Sequence, residues 1–467
     1  MHHRIVVVTA VVATALAAVV LSQPAVSVAR ARIAVVTPRP WQVVQRGADG
    51  RADLVVRGRC MGVRGEVAVS CGGRRATVRC DRDGDFRARL TRVRAGQFTL
   101  IARSVLRPRV VCRRRLIGIG DVYVVAGQSN ASGRSPFTFS YSSPTLRASM
   151  FGNDDRWKEL RDPVDSNAGQ VDAISADRHA RGSVWPVVAT FLLAEEHVPV
   201  AFVPCARGST SIAVWDPASK ADRPAGTCYA SMARRIAAVG GKVRAVLWWQ
   251  GERDARRRTP GPEYKAALQG LSDRLWRDFR TPLLVAQIGD YDERYTAQGI
   301  NTVRRAQAEA WGTSHILSGP VLYDIDLHGN VHFTRPADVK LAARRWAAAV
   351  LREVLGRTAV AASPRLVDAE LIGRELLLTA DGELAPSVLP HGFTVRADGR
   401  KCAVEAAAVE AAGGVVRLTL GAQPTGEVRV SLGEGRSGAG ASVPVEPSAW
   451  RLPMEPFADR PVRCPGS

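Results

Sequence analysis

A chain of 467 residues is too long for one ordinary hydrophobic core, so two or three domains are expected, and an apolar fraction of 46% excludes a disordered or fibrous polymer. The formal net charge of +21 raises nucleic acid as a partner. The excess is almost all arginine, which reads as a chain-wide compositional habit, and no nucleic acid is expected.

The first 29 residues have the parts of an export signal: a basic start at Arg4, an apolar run from Ile5 to Leu21, and small residues at Ser27 and Ala29 suited to cleavage. A secreted, extracellular protein is expected, ahead of one anchored by an uncleaved signal. Export makes disulfides the natural reading of the eight cysteines. Four are early (Cys60, Cys71, Cys80, Cys112), two central (Cys205, Cys228) and two late (Cys402, Cys464). A Cys205–Cys228 bond is expected in the middle, and spacing leaves the pairing of the first four open. No Cys-x-x-Cys pair points to zinc.

From 30 to 117, short β-type runs such as Leu54-Val55-Val56 and Glu66-Val67-Ala68-Val69 alternate with Gly and Asp turns, which predicts a β-sandwich-like domain. Between Arg30 and Arg115, 22 arginines face 6 acidic residues. A solvated basic face is the first reading of that excess, and contact with an anionic cell-surface polymer the alternative. From 118 to 357, apolar runs at Val122 to Ala126, Val198 to Val203, Val243 to Trp249, Leu283 to Ile288 and Ile316 to Tyr323 alternate with helical segments, notably Val187 to Glu196, Tyr264 to Phe279 and Ala337 to Val354. Such alternation predicts an α/β domain, a parallel sheet with helices on both faces. From 364 to 458, β-type runs return between Gly-rich turns and predict a second β domain.

Open parallel sheets bind ligands beyond the carboxyl ends of their strands. The polar clusters stand at those ends: Gly127-Gln128-Ser129-Asn130, Gly208-Ser209-Thr210, Gln250-Gly251-Glu252, and a last segment with Asp324, Asp326, His328 and His332. Ser129, at a tight strand-to-helix turn, is the candidate nucleophile, although Ala131 departs from a Gly-x-Ser-x-Gly elbow. A serine needs a base, and His332, past the last strand and before a helix, is preferred to His328. The Ser129 and Gly208 backbone N–H groups and the Gln250 side-chain amide are candidate oxyanion donors.

At these residues the chain resembles the SGNH-hydrolase superfamily, specifically its sialate O-acetylesterase-like and carbohydrate acetylesterase group. The resemblance rests on Gly127-Gln128-Ser129-Asn130, on Gly208-Ser209-Thr210 and on Trp248-Trp249-Gln250-Gly251-Glu252 followed by Asp254. It implies Ser129 as nucleophile, His332 as base, Ser129, Gly208 and Gln250 as oxyanion donors, and Glu252 as a supporting neighbour. The family's aspartate three residues before the histidine is replaced here by Gly329. Asp326 is the expected acceptor for His332, ahead of Asp324 or a backbone carbonyl.

The resulting expectation is a central three-layer α/β/α, flavodoxin-like SGNH domain flanked by two β-sandwich-like domains. It would hydrolyse O-acetyl esters of carbohydrate through an acyl-serine intermediate, with no metal or other cofactor. The alternatives are a non-catalytic carbohydrate-binding protein on the same fold and a basic binder of anionic polymers.

Overall fold

The computed structural model describes residues 31–464 apart from 173, 175–176, 217–225, 389–390, 410–412 and 435–442. The expected export signal lies outside the described residues.

Period-two alternation builds the first strands. In β3 (Arg51–Met61), Leu54, Val56 and Cys60 are buried while Asp53, Arg57 and Arg59 are exposed. It lies between β1 (Arg32–Thr37) and β6 (Asp85–Arg94) in an antiparallel sheet. β2 (Val43–Gln45) runs parallel to β8 (Val111–Gly127). β4 (Glu66–Cys71), β5 (Arg74–Arg79) and β7 (Gly96–Ser104) form an antiparallel group, in which β7 also pairs with β8. Leu54, Val56, Val67, Val69, Leu90 and Leu100 belong to one buried cluster. Cys60 and Cys80 are disulfide-bonded, whereas Cys71 and Cys112 are buried thiols.

The 17-residue β8 carries the chain from this region into the central sheet. Its first half is antiparallel to β7, and its second half is parallel to β11 (Val200–Pro204) and β12 (Ala245–Trp249). The boundary expected between 117 and 118 therefore falls inside a continuous strand. Asp121, buried within it, accepts from Arg46 and Arg244 at 2.7 and 2.6 Å and ties the two regions together.

The central strands lie in the order β11-β8-β12-β13-β14, with β13 at Leu283–Gln287 and β14 at Ile316–Val321, all parallel. Two short strands, β9 (Ser149–Phe151) and β10 (Trp157–Glu159), extend the edge beyond β11. Every residue of β11, β12 and β13 is buried, as in a sheet covered on both faces. The predicted strands and helices are all present with small end shifts. The helices run in chain order as α1 (Ser129–Ser132), α2 (Trp185–Glu196), α3 (Cys228–Ala238), α4 (Glu252–Arg257), α5 (Gly261–Phe279), α6 (Ala297–Ala310) and α7 (Pro336–Ala349). α2 and α7 meet through Trp185 and Trp346, whose rings lie edge to face 5.2 Å apart.

The expected Cys205–Cys228 bond is absent. Cys205, at the end of β11, is a buried free thiol, and Cys228 opens α3 within the same hydrophobic core. Burial pushes the Cys205 thiol up to about 12, so it packs as a small apolar side chain.

Strands from Leu366–Ile372 to Phe457–Pro461 form two antiparallel sheets around their own apolar cluster, which also takes in Val321 and Tyr323 at the end of β14. The Tyr323 hydroxyl donates to the Met454 carbonyl at 3.0 Å, and Arg304 of α6 donates to that of Gly433 at 3.0 Å.

Candidate active site

The order β11-β8-β12-β13-β14 corresponds to 2-1-3-4-5 counted along the central strands, and a sheet of that order binds ligands between its first and third strands. Ser129 follows the first of these, β8, beside the end of β12. Gly127 allows the approach: a Cβ there would stand 2.0 Å from the Trp249 carbonyl oxygen. The turn sets Ser129 at the start of α1, where a backbone N–H precedes the intrahelical ladder.

His332 reaches the serine from the segment that follows β14. Its Nε2 lies 2.9 Å from Ser129 Oγ. Asn130 holds the two segments together: its buried amide donates to the Val331 carbonyl at 3.1 Å and to Glu252 Oε1 at 2.7 Å. Three strand-end loops thus meet on one side chain. Burial pushes the Glu252 carboxyl up to about 7, with the Asn130 bond opposing the shift.

Asp326 does not serve His332. Its Oδ1 accepts from the His328 backbone N–H at 2.6 Å and its Oδ2 lies 3.0 Å from His328 Nδ1, the local closure an aspartate makes with a residue two positions on. Asp324 is committed to Arg345, at 2.5 and 2.6 Å. Gly329 has a φ of 71°, a left-handed turn that an aspartate would adopt only under strain. Asn330 stands next and closes the turn by accepting from the backbone of Val331 and His332. Among the described residues, no carboxylate is in ion-pair contact with His332.

Gln250 is likewise not an oxyanion donor. Its side chain is fully buried, and its amide nitrogen donates to Asp254 Oδ2 at 2.6 Å and to the Thr210 carbonyl at 3.0 Å. Asp254 and the carbonyl are acceptors, which fixes the amide's orientation and uses both its hydrogens. It is a strut between the end of β12 and the loop bearing Gly208. Gly208 itself lies in that loop, half-buried, with the Arg134 guanidinium against it.

Two ion pairs border His332 without touching it. Arg134 bonds Asp177 through two contacts of 2.9 Å, and Arg294 bonds Asp292. Burial, then the positive charge of Arg134, pushes the His332 imidazole down to about 4. Neither pair was singled out from sequence. Arg134 is one arginine among many, and only folding brings Asp177 to it across 43 positions.

Residues 119–352, half of the chain, match the family described as carbohydrate esterase, sialic acid-specific acetylesterase. A probable carbohydrate esterase of Arabidopsis thaliana is 27% identical over 253 residues, 47% of this chain and 86% of that protein. The crystal structure of a carbohydrate acetylesterase from Xanthomonas citri superposes with a TM-score of 0.62 at 22% identity, over 90% of this chain and 97% of that one. The shared fold thus extends beyond the central sheet into both β regions. Together with the motifs at four strand ends, the match over residues 119–352 establishes that the chain belongs to the sialic acid-specific acetylesterase family of carbohydrate esterases.

Proposed function

We propose that the protein is a serine esterase that removes O-acetyl groups from carbohydrate through an acetyl-Ser129 intermediate. The observation that carries this reading is the 2.9 Å contact between Ser129 Oγ and His332 Nε2. In the reaction, Oγ attacks the acetyl carbonyl carbon as Nε2 takes its proton. In this reading the Ser129 and Gly208 backbone N–H groups stabilise the oxyanion. Collapse breaks the bond to the sugar oxygen, which leaves with the proton from His332. Water, deprotonated by the same imidazole, then frees acetate. The order of the central strands supports reading 118–357 as the SGNH-type unit between two β regions.

Ester hydrolysis expels an alkoxide more readily than peptide cleavage expels an amine, so a Ser129–His332 dyad suffices without a carboxylate. The test is acetate release from O-acetylated sialic acid, acetylated xylan and a chromogenic acetate. Release from at least one glycan, with an initial burst of the chromophore on the chromogenic ester as Ser129 is acetylated, is the expected result. No acetate from any ester would leave a carbohydrate-binding protein.

Two further predictions follow from the surroundings of His332. Asp326→Asn is expected to change kcat by less than about threefold, because it removes a charge from His328 and leaves His332 untouched. A loss of about a hundredfold or more would make Asp326 the orienting group. The second concerns pH. A base must be neutral to act, and with its pKa near about 4 the imidazole stays neutral at every higher pH. The kcat/KM profile is expected to rise through an apparent pKa near about 4 and to be flat towards neutrality. An acid limb at the ordinary histidine value of 6.5 would show that His332 is not so desolvated in the working enzyme.

A further inference from the structure

The arginine excess between 30 and 115 is spread over both sheets of that region, but the acids that pair with it are not. On the outer face of β3 and β6 three arginines are paired, Arg59 with Asp85 at 3.0 Å, Arg89 with Asp53 at 2.6 Å and Arg92 with Asp49 at 3.2 Å, while Arg57, Arg87 and Arg94 stand exposed beside them. The β5-β4-β7-β8 face holds none of these pairs. Val67, Val69, Val78, Leu100 and Ala102 point inward to the core, so alternation sends Arg75, Arg79, Arg103, Arg113 and Arg115 outward, and all five are exposed. None of the five has an ion pair among the described residues.

Register places these charges in a connected array. Arg113 stands opposite Ile101 and Arg103 opposite Val111, so Arg103 and Arg113 are diagonal neighbours, and Arg115 is two positions along the same strand. Arg75 lies opposite Ser70 and Arg79 opposite Glu66, the acid of this face. Strand spacing of about 4.8 Å and a step of about 6.7 Å between like-facing residues set the charges at intervals a linear polyanion can follow. Ala68, Ser70 and Thr77 lie between them, short side chains that leave the guanidinium groups proud of the sheet. Like charges on neighbouring strands repel, and this face lacks the aspartates that relieve the repulsion on the other.

We propose that the β5-β4-β7-β8 face binds an extended acidic polysaccharide, reading its repeated carboxylates by charge. Membership of a carbohydrate esterase family favours a glycan as the polyanion. The outward positions of the array hold no aromatic ring among the described residues, so neither a neutral sugar face nor an unstacked base finds a platform there. Such a face would hold the protein on an acidic polymer, whatever the site at Ser129 does.

The test is binding of the full chain to immobilised polygalacturonate, with neutral dextran and duplex DNA as comparison probes. Binding to polygalacturonate that weakens steeply between about 50 and 200 mM salt is expected. The combined Arg75→Ser, Arg103→Ser, Arg113→Ser, Arg115→Ser variant is expected to lose at least about tenfold in affinity. The Arg113→Ser, Arg115→Ser pair should lose an intermediate amount. A control removes the same charge from the other face, by Arg59→Ser, Arg87→Ser, Arg89→Ser and Arg92→Ser, and is expected to lose less than about threefold. Equal losses from both faces would reduce the effect to net charge and overturn the proposal. So would tighter binding of DNA, equal binding of dextran, or no salt-sensitive binding. Because binding is read without turnover, failure here is distinguishable from failure of the esterase reading.

Discussion

Replacing Ser129 by alanine is expected to lower acetyl-ester turnover by at least about four orders of magnitude while leaving the protein folded. Oγ is the atom within 2.9 Å of His332 Nε2, and no other hydroxyl is bonded to that nitrogen among the described residues. Its loss removes both the nucleophile and the group whose proton the imidazole would take. The structural cost is small, since alanine suits a helix and one hydrogen bond contributes about 1 kcal/mol. His332→Ala should have a comparable effect, and the double variant should be little worse than either, because the two act as one unit. A purified Ser129→Ala protein that keeps more than about 1% of wild-type kcat would exclude Ser129 as nucleophile.

The second large effect is on stability. Asp324→Ala is expected to destabilise the fold by about 3–5 kcal/mol, read as a fall in the urea midpoint, with turnover per folded molecule retained. The Arg345 side chain is 1% exposed and Asp324 is 7% exposed. Arg345 also donates to the carbonyl of Val321 at the end of β14 and to that of Arg451 in the C-terminal segment, at 3.1 and 3.4 Å. Removing the carboxylate leaves a buried cation whose remaining partners are neutral carbonyls. Replacing both members, Asp324→Leu with Arg345→Met, should recover part of the loss, because the desolvation cost disappears with the pair. Lost turnover with an unchanged urea midpoint would instead return Asp324 to the catalytic centre.

Much of the site was legible in the chain because it is built from strand ends. Apolar runs of about five residues declare buried parallel strands, and the polar residues just beyond them fall at one end of the sheet whatever the details of packing. That reasoning places Ser129, His332 and Gly208 in one region, and the structure brings Ser129 and His332 to 2.9 Å. It failed where a side chain had more than one partner within reach. Asp326 and Gln250 were assigned to the site by position, but Asp326 closes on His328 two residues away and Gln250 on Asp254 four residues away. The expected disulfide failed for a related reason: being the two cysteines of the central region says nothing of whether they face each other.

What the sequence determined by itself is the alternation of strands and helices, the polar ends of the strands, and the arginine content of the first β region. These depend on local periodicity and composition, which survive without knowledge of neighbours. Tertiary structure decided the rest. It made β8 one strand across two regions, chose Arg345 for Asp324, and surrounded His332 with the Arg134–Asp177 and Arg294–Asp292 pairs. It also put the three arginine–aspartate pairs of the first β region on the β3 and β6 face, since pairing depends on which side chains cross-strand register sets within hydrogen-bond reach, and register is a property of the assembled sheet.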